Sequence, residues 1–286
     1  MTTYESKATL TPAELNIGEA LIYIRREGIP VMFRLVDTDA EIMRDDEDAH
    51  MVYRFWCVID INGKKHTLER EVPTQKTFYE PWVIDGVRVF FDAVSNIFVP
   101  DGGFMLEKDE RHGIYCQPGK KARFALQDAD VSICPERMHL WCRLPEGELN
   151  IKDCYRGEDC WMGTYNRREA HGGLDINHPA CTPLYAPFDL DDQFYFNSVA
   201  AGDNNNRWRG LRNWDDGTTW IIQAHHMTAL TVPEHTPLKA GTQFALGAGV
   251  WSGCTDHSHF VFKVVQHAKM YLLDPWILFW QMLRDQ

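Results

Sequence analysis

MVYRFWCVIDINGKKHTLEREV, residues 51–72, reads as two β-strands closed by a tight turn. Met51–Ile61 and His66–Val72 carry β-branched and aromatic side chains, which fit a pleated, half-buried surface. Between them Asn62-Gly63 tolerates positive φ at both central positions, as a two-residue hairpin loop demands. ALIYIRR (20–26), IPVMFRLV (29–36) and WVIDGVRVFFDAV (82–94) extend the same texture on either side. Thr11–Ala20 alone reads as a short helix, started by Thr11 and Pro12. The first half is therefore expected to be a β-sandwich-like module, and it contains no catalytic constellation.

From Pro118 to about Asn150 the chain becomes rich in proline, cysteine and charge, which marks a connection between modules. Beyond it TPLYAPF (182–188), TTWIIQAHHM (218–227), TQFALGAGV (242–250) and HFVFKVVQ (259–266) are again strand-like. The expectation is two mostly β domains, residues 1–148 and 149–286, a division that suits a chain of 286 residues. The apolar tail MYLLDPWILFWQML (270–283) is interrupted by Asp274-Pro275 and is too short to span a bilayer, so it should pack on a sheet.

Lys plus Arg number 29 against 41 Asp plus Glu, a net charge of −12, and no basic stripe interrupts that balance. Nucleic acid and anionic membranes are therefore poor partners. The acidic run Asp45–Asp48 reads as a solvated loop. No transmembrane stretch or secretion signal is visible, yet the eight cysteines suit an oxidising, extracytoplasmic compartment, with Cys154 and Cys160 expected to pair.

Three clusters carry chemistry. In AHGGLDI, His171 and Asp175 would lie about 13 Å apart in a straight strand, too far to share one ion. Gly172 and Gly173 permit a bend that folds one back over the other. In DHSHFVFKV, His257 and His259 stand two apart in a strand and project from one face. In IIQAHHM, His225 and His226 are strand neighbours, so alternation predicts that only one of them joins a site.

HGGLDINHPACTPLYAPFD (171–189) resembles the HxGxD segment and following turn of the lysostaphin/LytM-type zinc endopeptidases. WMGTYNRREAHGG upstream is similar to the segment that leads into it, with Gly163 at that family's glycine. Downstream, HMTALTVPEHTPLKAGTQFALGAGVWSGCTDHSHF (226–260) resembles the remaining blocks without a gap, placing His226 on the strand histidine, Leu238-Lys239-Ala240-Gly241 on the turn and His257-x-His259 on the last motif. The resemblance runs from Trp161 to the C-terminus and does not reach the first half.

It implies an antiparallel sheet with an active-site groove, one zinc ion per chain held by His171, Asp175 and His259, and His226 and His257 as catalytic residues. Three protein ligands leave a position open for water, the mark of a catalytic rather than a structural zinc. The implied activity is a metalloendopeptidase acting on peptide bonds, above all those of bacterial peptidoglycan. The alternative is a catalytically silent relative that binds wall material or regulates another hydrolase, although all five site positions are intact. An HxH barrel of cupin type would place a glutamate shortly after the motif, where this chain has FVFKVVQ.

Cys181 departs from the family's turn glycine and Cys254 precedes the HxH motif, at neither of which a ligand is expected. The insert Asp189–Trp214, which contains Arg207-Trp208-Arg209, is expected to be a surface loop, with a groove wall that grips substrate as the alternative. GAGVWSG (247–253) has a misplaced third glycine and no following helix, which argues against a nucleotide loop.

Overall fold

The computed structural model describes residues 1–44, 52–72, 80–95, 118–143, 164–165, 169–170, 172–198, 206–247 and 257–285. The chain is mostly β and divides into two compact units, Met1–Ile133 with Met162–Gly172, and Cys134–Trp161 with Gly173–Gln286.

The first unit holds β1 (Thr2–Glu5), β2 (Thr11–Leu15), β3 (Ala20–Ile24), β4 (Pro30–Arg44), β5 (Val52–Ile61), β6 (Lys64–Val72), β7 (Trp82–Ile84), β8 (Val87–Val94) and β9 (Ala122–Asp128), with a short pair β10 (Thr164–Tyr165) and β11 (Glu169–Ala170). One sheet has the order β1-β3-β4-β5-β6 and the other β2-β9-β8-β7. Phe55 of the first sheet meets Phe91 of the second edge-on at 5.1 Å, and Phe91 stacks on Phe124 at 5.4 Å. A sandwich core results.

The Asn62-Gly63 turn forms as expected: Ile61 pairs with Lys64, and the two loop residues have φ of 50° and 86°. Thr11–Leu15, expected to be helical, is instead a fully buried strand paired with β9. The Thr-Pro signal is local, whereas the stabilisation comes from burying five residues against a strand more than a hundred positions away. Pro12 is tolerated because β2 is an edge strand, where a missing N–H costs no ladder bond. The run 82–94 is also two strands rather than one, folded at Asp85-Gly86 with φ of 49° and 76°.

The second unit contains β12 (Leu174–Asn177), β13 (Pro183–Tyr185), β14 (Asp192–Asn197), β15 (Asn206–Asn213), β16 (Thr219–Leu230), β17 (Gln243–Gly247), β18 (His257–Gln266), β19 (Lys269–Leu273) and the helix α1 (Trp276–Arg284). Its eight strands form one sheet with the path β12-β18-β16-β15-β14, β17 joining β16 to β13, and β19 on β18. Every pair in it is antiparallel. Residues 189–214, expected to be a surface loop, contribute β14 and β15 to this sheet. Buried Trp208 marks the core face, stacked on Phe244 at 4.1 Å. Trp141 meets Phe260 edge-on at 4.6 Å and donates to Ser258 Oγ at 2.9 Å. The apolar tail packs as expected, with Phe279 of α1 against Phe260 at 5.1 Å. Among the described residues no helix is long and apolar enough to cross a membrane.

Cys57, Cys134 and Cys142 are buried free thiols and Cys181 is an exposed one. Burial pushes the Cys134 and Cys142 thiols up to about 12. Cys154, Cys160 and the acidic run Asp45–Asp48 lie outside the described residues.

Candidate functional site

Asp175 on β12, His259 on β18 and His225 on β16 form one row across three adjacent strands, since His259 is the direct partner of both other residues. Directly opposed residues of an antiparallel pair share a face, so the three side chains meet. His259 Nδ1 lies 2.9 Å from Asp175 Oδ1, and His257 Nε2 lies 3.3 Å from Asp175 Oδ2. One carboxylate thus faces two imidazoles, all three groups being buried. His257 and His259 share a face, as their spacing predicts.

The adjacent histidines of β16 do not obey the alternation expected of them. Trp208 pairs with Ala224 and Asn206 with Met227, so His225 and His226 together oppose the single residue Arg207. That is a β-bulge, and His226 occupies it with φ of 63°, a left-handed conformation uncommon for a residue with a side chain. The extra residue resets the alternation and keeps both rings on the site face. His225 stacks on His259, with centroids 4.6 Å apart and planes at 22°. His226 meets His257 edge-on at 5.1 Å and lies 6.3 Å from His259. His225, His226, His257 and His259 therefore meet on the sheet face that carries Asp175.

The glycines have distinct tasks. Gly172 takes φ of 81°, a left-handed conformation that glycine adopts without strain. Gly173 makes room: a Cβ there would stand 2.2 Å from His259 Nε2 and 2.4 Å from its Cε1. Cys181, at the turn where the resemblance has glycine, adopts φ of 62°, in the left-handed region despite its side chain. Gly241 has φ of 78° and donates its N–H to Ala186 O at 2.8 Å. His171, Gly163 and Cys254 lie outside the described residues.

Burial lowers the His225 pKa well below its usual value, helped by His259, Arg207 and His226 and opposed by Asp175. Its Nε2 is shut off from solvent and has no hydrogen-bond partner. The donors suit zinc, which takes imidazole nitrogen and carboxylate oxygen in tetrahedral sites with bonds near 2.0 Å, so that ligand atoms are about 3.3 Å apart. The 2.9 Å separation of His259 Nδ1 and Asp175 Oδ1 approaches that edge. Among the described residues no group of three His, Cys, Asp or Glu side chains is arranged to hold a metal. Position 171, which the resemblance implies as a further ligand, lies outside the described residues.

Residues of the insert, for which a substrate-gripping groove wall is the alternative to a surface loop, complete this face. Arg207 and Arg209 alternate with buried Asn206 and Trp208 along β15 and so project to the site side. The Arg-Trp-Arg alternation carried that signal, but it lay within the stretch read as a loop. Phe196 of β14 stands edge-on to His225 at 6.0 Å.

No family model and no curated protein matches the chain. Among solved structures it is similar to the antimicrobial peptidase lysostaphin from Staphylococcus simulans, with 18% identity, a TM-score of 0.33, and coverage of 40% of this chain and 44% of that one. The match thus spans less than half of the lysostaphin chain. A zinc-containing peptidase from Vibrio cholerae is similar at 14% identity and a TM-score of 0.31, over 82% of this chain and 83% of that one.

Proposed function

We propose that residues 149–286 form a zinc-dependent peptidase domain acting outside the cytoplasm on peptide bonds, with bacterial peptidoglycan as the substrate. The observation that carries this reading is the convergence of His225, His226, His257 and His259 on the one sheet face where Asp175 meets His257 and His259. A structural role alone does not require four imidazoles and a carboxylate to be gathered on one sheet face.

In this reading His171, Asp175 and His259 hold the metal, which when bound polarises the scissile carbonyl and makes water a better nucleophile at neutral pH. His226 and His257 manage the protons. One imidazole accepts a proton from the attacking water, and the other donates to the leaving amine. Asp175 Oδ2 lies 3.3 Å from His257 Nε2, and His226, held by the bulge, stands 5.1 Å from His257, so the two imidazoles that divide these roles sit side by side. Gly173 keeps the space that the His259 ring needs.

The test combines metal analysis with mass spectrometry of fragments released from purified peptidoglycans. About one zinc per chain is expected, lost in Asp175→Ala. His226→Ala should lower turnover by roughly 10²-fold or more while zinc stays bound. A chelator-free preparation without zinc, or an unaltered His226→Ala enzyme, would reject the assignment.

A further inference from the structure

We propose that Arg207 and Arg209, with Phe196, form an anion subsite beside the histidine cluster that takes a carboxylate of the bound peptide. The inference rests on the peptidase reading for its ligand's identity, but not for the site itself.

Trp208 and its partner Ala224 are buried on the core face, which places Arg207, Arg209, Gln223 and His225 together on the opposite face. Arg207 stands opposite the His225–His226 bulge. Arg209 lies one alternation further along β15, its Cζ 4.8 Å over the Phe196 ring. In the amide orientation that satisfies both groups, Gln223 Oε1 accepts from Arg209 Nε at 3.0 Å and Nη2 at 2.9 Å. Phe196 also touches His225, so aromatic, guanidinium and imidazole groups form one continuous surface.

Neither guanidinium meets a carboxylate among the described residues. Arg212, at the far end of the same strand, shows what the chain does elsewhere: Asp191 and Glu136 both hold it. In a chain of net charge −12, two neighbouring arginines without an acidic partner among the described residues are conspicuous. Both are half-buried, Arg207 Nε is shut off from solvent without a hydrogen-bond partner, and burial lowers the Arg209 pKa. A half-desolvated guanidinium without a counter-charge costs free energy that an arriving anion returns. The planar guanidinium fork fits a carboxylate, and the exposed Phe196 ring adds an apolar wall for the adjoining carbon chain. The carboxylate could be a peptide's C-terminus or an acidic side chain.

Acetate, titrated into the ¹⁵N-labelled full chain with chloride at equal ionic strength as the control, tests the site directly. The signals are the Nε–Hε resonances of Arg207 and Arg209, assigned with Arg207→Gln and Arg209→Gln. Saturable shifts at both with acetate alone are expected. No shift, or the same shift with chloride, overturns the proposal whether or not the chain cleaves peptides. Binding of N-acetyl-triglycine, its C-terminal amide and N-acetyl-Gly-Glu-Gly amide then separates the two sources. Whichever carboxylate is used should bind about 10-fold more tightly than the triglycine amide, an advantage lost in Arg209→Gln. Equal affinities of all three peptides would refute a peptide carboxylate as the ligand. Saturable acetate binding in a chain that cleaves nothing would remove the peptidase reading and leave the anion site.

Discussion

Arg123 and Arg207 are charged residues on strands of the two units, and they keep different company. Arg123 on β9 is 1% exposed; its Nε donates to Asp92 Oδ2 at 2.6 Å, and Glu14 Oε1 lies 3.8 Å from Nη1. Nearby Arg70 donates across the sandwich to the carbonyls of Phe91 and Asp92. Arg207 has no carboxylate among the described residues, and neither its Nε nor the neighbouring His225 Nε2 has a hydrogen-bond partner. Buried charge that closes on itself fixes a fold. Buried polar groups left open on one sheet face ask for a partner that the fold does not supply.

The largest effect should come from breaking the closed case. Arg123→Met leaves Asp92, fully buried, and Glu14, nearly so, without their guanidinium. Removing one partner of a buried ion pair costs about 3–5 kcal/mol, which chemical denaturation will report as a lower midpoint. Arg207→Met removes a cation with no carboxylate to strand and should stay within about 0.5 kcal/mol of the parent. Equal losses in the two variants would erase the distinction between them.

The same contrast explains what the sequence disclosed. The Asn62-Gly63 hairpin was legible because two adjacent residues dictate its backbone, and the strand runs around it because alternation is local. Thr11–Leu15 was misread because its strand state depends on pairing with β9, invisible from its own residues. Asp175, His257 and His259 were found by spacing and resemblance, and the described geometry brings them together. The expectation that His225 and His226 face opposite ways does not hold. Alternation assumes a regular ladder, and the bulge opposite Arg207 is a property of strand pairing that no two-residue reading contains. Arg207 and Arg209 fall in the insert read as a surface loop ahead of a groove wall, and their place on this face appears only once β15 lies beside β16.

A smaller effect is expected within the open face itself. Gly173→Ala adds one methyl group whose ideal position is 2.2 Å from His259 Nε2, so the ring has to move. Gly173 is not among the residues of positive φ, so alanine does not strain the backbone there. Thermal stability should hardly change, whereas zinc affinity should fall roughly 10- to 100-fold, as when an outer support of a metal ligand is lost. Competition against a chromophoric chelator measures it. An unchanged affinity would show that the His259 ring shifts freely and that Gly173 is not what positions it.

The smallest effect separates the ring of His225 from its nitrogens. His225 lies flat against His259 at 4.6 Å, and Phe196 covers another side of it. Stacking of this kind contributes about 0.5–1.5 kcal/mol beyond area burial, equivalent to roughly 2- to 10-fold in an equilibrium constant. If the ring's contribution is to hold the plane of His259, His225→Ala should weaken zinc binding by that factor, and His225→Phe should restore it to within about twofold by the same stacking. Should His225→Phe be as weak as His225→Ala, the enclosed Nε2 and not the ring face is what matters, and His225 belongs with the groups that bind or carry protons. Should neither variant differ from the parent, the bulge brings His225 to the site face without giving it work there, and the alternation argument fails in geometry while holding in function.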